Sequence, residues 1–326
     1  MSTVSEQMEN QKRLVWRFIE EGFNNNAPTV AYEVCHPRYR NDGSVVAVPD
    51  GPKGMATHID NAHAQSGQFR LNIVDILAEG DTASVLWQTW GSTGKYLANV
   101  TSSNDTSAWL IGHCGFEDGL IRQHVINWEP MRLMAQSGAL VTNSNGRSVA
   151  DLAQMSLSSL RYKAFSTYTT EVEATPARIA SLTERSMIAD QAQTTLNYLY
   201  GADDVAPEVA RDAYLSFADM PDQRGIAGLA TRRRLLRGAF SEADVKIEML
   251  VVEQGRVTLR WTFTAIHSGD WLGLPATGRP LSATGSAYAR IEQGKISIWI
   301  EVLDILRLIR QLGGLAAVMP GCFPDQ

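Results

Sequence analysis

The feature that most constrains this chain is that its two halves carry the same pattern of residues. In the first half, Phe116-Glu117-Asp118-Gly119-Leu120-Ile121 is followed by a strand-like run to Glu129 and then by Gln136-Ser137-Gly138. In the second, Ile291-Glu292-Gln293-Gly294-Lys295-Ile296 is followed by an apolar run to Asp304 and then by Gln311-Leu312-Gly313. The spacing is the same: eight residues from Ile121 to Glu129 and from Ile296 to Asp304, then seven to Gln136 and to Gln311. A repeat of this length is a repeat of a folding unit, because each copy has to bury its own apolar face. Glu129 and Asp304 therefore occupy corresponding positions. Upstream, Ile73 to Trp87, with a turn at Glu79-Gly80-Asp81, matches Ile247 to Trp261, with a turn at Glu253-Gln254-Gly255. Both read as hairpins of alternating apolar residues.

Further upstream, Ala27-Pro28-Thr29-Val30-Ala31 is set against Ala206-Pro207-Glu208-Val209-Ala210, each expected to open a helix with proline in its first turn. Gly54-Met55-Ala56 is set against Gly225-Ile226-Ala227. Each half then reads as two or three helices followed by a curved antiparallel sheet of four long strands, an α+β order. At 326 residues and 44% hydrophobic content, the chain suits two cores of ordinary size. Val141 to Ser148 carries Thr, Asn, Ser and Gly in loop-forming order, and Val149 to Leu182 mixes a helical pattern at Leu152 to Leu160 with β-branched residues at Thr167 to Val172. The expected organisation is a first domain at 1–140, a connector at 141–182 and a second domain at 183–326.

Charge and composition exclude several classes. A net charge of −6 leaves no electrostatic footprint for nucleic acid, and the short run Arg232-Arg233-Arg234 reads as the solvated face of a helix. Met1 to Lys12 is polar, with neither a signal peptide nor a membrane span, so a cytoplasmic protein without a membrane partner is expected. Cys35, Cys114 and Cys322 lie far apart, which suggests buried or incidental thiols rather than a disulfide framework or a zinc site. His58 and His63 are five apart in an expected helix and do not share a face closely enough for a metal. No Ser-His-Asp order, phosphate-cradling loop or dinucleotide fingerprint is present.

The second half resembles a known family on the stretch His267-Ser268-Gly269-Asp270-Trp271-Leu272-Gly273-Leu274-Pro275-Ala276-Thr277-Gly278-Arg279-Pro280, the turn Glu292-Gln293-Gly294-Lys295-Ile296, and Asp304 with Gln311-Leu312-Gly313. Together these resemble the SnoaL-like polyketide cyclases and their ester-cyclase relatives, in the nuclear transport factor 2-like superfamily. The resemblance implies two tandem α+β cones, each a curved sheet wrapped around helices, with the first copy divergent. It departs from the pattern at Ile300, where members carry Trp, while Trp299 falls one residue away on the opposite strand face. The first half lacks the Pro-Thr-Gly loop, has Ser92 near the place of His267 and Glu129 for Asp304, so its pocket is expected to be remodelled and catalytically idle.

Such cyclases use a pocket carboxylate and no metal or organic cofactor. By the two-residue period Ile298, Ile300, Val302 and Asp304 share one strand face, and an acid at the end of an apolar face has a raised pKa. The resemblance thus assigns proton transfer to Asp304, hydrogen bonding to a substrate carbonyl to His267, and a secondary catalytic place to Glu129. Trp271, Ile300, Tyr288, Trp261, Asn127, Trp87 and His113 are the expected substrate-binding residues. Plainer readings stand beside these. Asp304 can cap the helix starting at Ile305, Glu129 before Pro130 can be structural, and His267 can sit on an exposed loop. His113 and His124 can be satisfied sheet histidines, while His36 and Tyr39 can line a rim.

The function implied is a cofactor-independent acid–base enzyme on a hydrophobic carbonyl-bearing small molecule, a cyclase of the intramolecular aldol type in secondary metabolism. The alternatives are epoxide opening, isomerisation or dehydration on the same fold, and a binding module without turnover. Fusing two copies is expected to make an internal pseudo-dimer, monomeric in solution.

Overall fold

The computed structural model describes residues 3–42, 48–65, 69–91, 106–136, 179–201 and 203–313. Most of the expected connector, at 141–178, lies outside the described residues, as do Ser92 and Cys322.

The first half opens with α1 (Val4–Arg17), closed at its start by a capping box in which Thr3 accepts from the Glu6 amide and Glu6 reaches back to that of Thr3. It continues through a π-helical segment, Phe18–Asn24, and a short helix α2 (Ala31–Val34) into β1 (Cys35–Asp42). Then come α3 (Gly51–Gln65), β2 (Phe69–Glu79), β3 (Thr82–Gly91), β4 (Trp109–Glu117), β5 (Leu120–Trp128) and α4 (Pro130–Gln136). The second half repeats the plan with α5 (Leu182–Tyr200), β6 (Val209–Phe217), β7 (Met220–Arg224), α6 (Gly225–Ala239), β8 (Phe240–Glu253), β9 (Arg256–His267), β10 (Pro280–Glu292), β11 (Lys295–Leu303) and α7 (Ile305–Gln311). No helix among the described residues is long and apolar enough to cross a membrane.

The sheets are ordered β1-β5-β4-β3-β2 and β7-β6-β11-β10-β9-β8. Each is an antiparallel sheet with one parallel strand added beside the last, β1 on β5 and β6 on β11. That added strand corrects two expectations. Val209 and Ala210 open a strand and not a helix, because Val209 pairs with Ile296 as Cys35 pairs with Ile121. Gly51 and Gly225, both at positive φ at the start of a helix, are the matching pair, so Gly54 corresponds to Gly228 and not to Gly225. The spacing that relates Ile73 to Ile247 relates these positions too.

Each sheet has two buried faces. One closes over its own helices, giving separate cores in the first half and the second. The other packs against the outer face of the other sheet through Leu77, Leu86, Trp109 and Ile111 on one side and Val251, Tyr288, Ile298, Ile300 and Val302 on the other. Equivalent groups exchange equivalent bonds across this interface: the Ala78 amide donates to Glu253 Oε2 at 2.8 Å and the Val252 amide donates to Glu79 Oε2 at 3.0 Å. Such reciprocity is the mark of a two-fold relation, here within one chain. Glu253 is fully buried and paired with Lys12 at 2.6 Å and Arg256 at 3.2 Å, so its charge is compensated.

Candidate functional site

The interior of the first cone holds a cavity of about 150 Å³, the size that takes up a single benzene ring. Its walls come from the π-helical segment and α3 on one side, from β2, β3, β4 and β5 on the other, and from Leu133 of α4. Phe18, Phe23, Phe69, Trp87 and Trp128 make it aromatic, and half-exposed Trp90 also lines it. Among the described lining residues there is no Asp, Glu, Lys or Arg. A ligand held here meets no counter-charge.

The polar groups are few and specific. The two-residue period of β5 turns His124, Ile126 and Trp128 inward and Val125 and Asn127 toward the other domain. His124 is 5% exposed, and neither of its ring nitrogens has a hydrogen-bond partner in the protein. Its imidazole is held down to about 4, first by burial and then by the charge of His58. It is therefore neutral at pH 7, offering one donor and one acceptor. His58, on α3, also lines the cavity and is likewise lowered by burial. Trp87 Nε1 and Asn41 Oδ1 are further buried atoms of the lining without partners.

Gly112 on β4 makes this arrangement possible. A Cβ there would lie 2.6 Å from the Trp87 ring and 2.7 Å from His124 Nε2, so only glycine lets both rings lie flat on the sheet. Phe18 meets His124 edge-on at 5.6 Å between ring centroids, which fixes the imidazole from the helical side.

In the second cone the matching places are occupied by side chains, and a more open groove lies beside them, lined by Tyr200, Leu236, Phe240 and Phe263. Arg232, without exposure, donates to Glu301 Oε1 at 3.0 Å and is ion-paired with Asp219; Tyr200 donates to Glu301 at 2.5 Å, and Trp271 Nε1 donates to Asp219 at 3.1 Å. Burial pushes the Glu301 carboxyl up, while Arg232 and Tyr200 act against that rise. Trp261 and Trp299 occupy the remaining space against a β10 face of Ala and Gly; at Gly285 a Cβ would stand 2.4 Å from the Trp261 ring.

Most of the expected site residues are accordingly placed elsewhere. Ile300 and Tyr288 face the other domain and not a pocket, Tyr288 donating to Asp75 at 2.8 Å. His113 bridges Ser84 at 2.8 Å and Ser286 at 3.0 Å across the interface, where Ser286 also donates to Asn127 at 2.8 Å. β11 keeps a two-residue period with the opposite sidedness: Ile298, Ile300 and Val302 meet the other sheet while Trp299, Glu301 and Leu303 turn inward, and because both faces are covered, an apolar run alone does not say which one looks inward. Asp304 caps α7, its Oδ1 accepting the Arg307 amide at 3.0 Å; burial raises its carboxyl against the lowering effect of that bond and of Arg307 and Arg310. His267 is buried, its Nδ1 3.1 Å from Thr277 Oγ1, so it ties down its own loop. Trp271 and Trp261 belong to the filled interior. Glu129 accepts from the Trp109 amide at 3.0 Å and pairs with Arg132 at 3.2 Å, outside the cavity lining. Trp87 lines the cavity. Tyr39 is fully buried and His36 nearly so, neither at a rim.

Sequence reasoning weighed His58 only as a metal ligand and did not single out Asn41, Gly112 or the aromatic residues of the π-helical segment. The signal was in the repeat: His58 stands opposite Arg232 and His124 opposite Trp299. One group of ligand-type side chains also converges among the described residues, His36 with Glu117 and Asp118, but Glu117 is already ion-paired with Arg38 and Arg122.

Residues 193–312 match the SnoaL-like polyketide cyclase family and residues 15–124 the SnoaL-like domain family. Among solved structures, TsrD from Streptomyces laurentii is similar at 26% identity over 40% of this chain and 98% of its own, with a TM-score of 0.36. A candidate SnoaL-like polyketide cyclase from Jannaschia Sp. CCS1 is similar at 17% identity over 41% and 96%, with a TM-score of 0.38. An LEH-like epoxide hydrolase of M.tuberculosis is similar at 14% identity over 40% and 91%, with a TM-score of 0.33. A comparison with curated proteins finds no match. With a family match on each half and the same α+β architecture in both, the chain is a tandem of two SnoaL-like domains of the nuclear transport factor 2-like superfamily.

Proposed function

We propose that the first domain binds an uncharged, hydrophobic, carbonyl-bearing small molecule and acts on it by acid–base chemistry of the intramolecular aldol type, with His124 as the proton-transferring group and the second domain as its scaffold. The observation that carries this reading is a buried imidazole with both nitrogens unpartnered, facing an aromatic cavity that holds no charge. His124 takes a proton from the carbon beside a substrate carbonyl. The C–H electron pair becomes the enolate double bond and the negative charge moves to oxygen. The imidazolium and enolate then form a neutral pair, so the burial that lowers the pKa of His124 in the free protein is offset in the transition state. Trp87 Nε1–H is the candidate donor to the enolate oxygen. Attack of the enolate carbon on a second carbonyl leaves an alkoxide, which takes the proton back from the imidazolium.

The test is deuterium exchange at the methyl group of acetophenone in D2O, followed by NMR with wild type and His124→Phe. A positioned base contributes about 10² to 10⁴ in rate. The exchange catalysed by the protein is expected to fall by about that factor in a variant that stays folded. Equal exchange by both proteins rules out His124 as the base.

A further inference from the structure

Helix α4 belongs to both domains at once. It begins immediately after β5, and three consecutive residues divide between the halves of the molecule. Met131, 1% exposed, is part of the core of the second domain, whereas Leu133 lines the cavity of the first. Between them Arg132, 3% exposed, donates to Glu129 Oε2 at 3.2 Å and to the backbone oxygen of Phe217 at 3.2 Å, on the β6–β7 hairpin of the second domain. Glu129 in turn accepts from the Trp109 amide at the start of β4. On the far side of Phe217, the Arg232 guanidinium lies 5.3 Å from the ring centroid, in the ion network that fills the second cone.

We propose that the second domain sets one wall of the first domain's cavity through α4, with Arg132 as the positioning residue; this rests on reading that cavity as the ligand site. The physical argument is one of reach. A helix of 7 residues has little stability of its own and takes its position from what it packs against. Here that is a methionine in the neighbouring core and a buried charge pair shared with the neighbouring backbone. The pair is bonded at both ends, so it holds one geometry, and any shift of the β6–β7 hairpin carries Leu133 with it. The filled second cone then has a use without chemistry of its own: its rigid interior fixes the hairpin that fixes the wall.

The test uses the full chain with Arg132→Met and with the double variant Glu129→Gln, Arg132→Met, which removes the pair without leaving a lone buried carboxylate. Three readouts are compared with wild type: acetophenone affinity by NMR titration, the position of the His124 ring Hε1 resonance, and amide exchange at Leu133, whose N–H bonds to the Glu129 carbonyl. Affinity is expected to fall about tenfold, the size of coupling through a packed contact, with a displaced His124 resonance and faster exchange at Leu133 in both variants. Arg132→Lys, which keeps a donor for Glu129, restores part of the affinity. Folded variants with wild-type affinity, an unmoved His124 line and unchanged Leu133 exchange overturn the proposal. If wild type itself does not bind acetophenone, the ligand reading falls, while the His124 resonance and the Leu133 exchange still decide whether α4 is positioned by Arg132.

Discussion

The two cones answer one architectural question in opposite ways. At corresponding places the first has His58, His124 and Ile126, and the second has Arg232, Trp299 and Glu301. The first set leaves a cavity of about 150 Å³. The second closes into a network of Arg232, Glu301, Asp219, Tyr200 and Trp271 with no exposure at Arg232 or Glu301. Unpaired indole N–H groups do not separate them, since Trp87, Trp261 and Trp299 all have one; space does. The half whose loop most resembles the cyclases is the half whose interior is occupied at the matching places, so motif and open interior have parted company there.

The largest effect should come from unplugging the filled cone. Arg232→Met leaves Glu301 and Asp219 buried without their counter-charge, and breaking a buried pair in this way costs about 3 to 5 kcal/mol. Urea unfolding of the full chain reads this directly. His58→Met, at the matching place in the first domain, removes a partly buried imidazole whose charged form burial already disfavours, and is expected to cost less than half as much. Equal costs would mean that the network is not what distinguishes the two interiors.

A second expectation sharpens the contrast at His124 and Trp299, because only one of them titrates. The imidazole of His124 falls from its ordinary value of 6.5 to about 4 in the folded chain, so the unfolded chain binds more protons between those values. Stability is therefore fully present above 6.5 and is lost as pH falls through that window, by about 3 kcal/mol if the whole interval is crossed. Urea titrations from pH 7 to 4.5 should show a shallower loss for His124→Phe than for wild type, and no such change for Trp299→Phe. His113, held near 3 by burial, then by Arg260 and least by His124, contributes its own loss in all three proteins, and only its small His124 share changes in the comparison. Parallel pH profiles for wild type and His124→Phe would place the His124 ring in water.

The repeat made the fold legible because hairpin spacing and strand period are local properties: the β2–β3 and β8–β9 hairpins fall where the alternating residues put them. The added parallel strand was not legible, since Val209 to Phe217 has its partner far away in sequence, at β11. The site was legible only in part. Asp304 follows β11 directly, but both faces of that strand are covered, and which face meets helices and which meets a second sheet is a tertiary fact. Ile300 and its β10 neighbour Tyr288 consequently face the other sheet, while Trp299 and Glu301 turn toward the helices. His124 stands at the place of Trp299 in the repeat, and what sets it apart is the smaller ring leaving room, which no periodicity reports.

The smallest expected effect is the one with most power to invert the comparison. Asp304→Ala removes the acceptor for the Arg307 amide at the start of α7, a loss of about 1 kcal/mol for a helix cap. Asp304→Asn keeps an acceptor there and should be close to neutral in the same denaturation assay. Both should leave acetophenone exchange unchanged, since the proposed base, His124, stands in the other cone. The Asn variant is the decisive one, because it separates the cap from the charge. Should it lower exchange by a hundredfold while α7 remains folded, the carboxyl that burial raises is the working group. The second domain would then be the catalyst, and the cavity around His124 its scaffold.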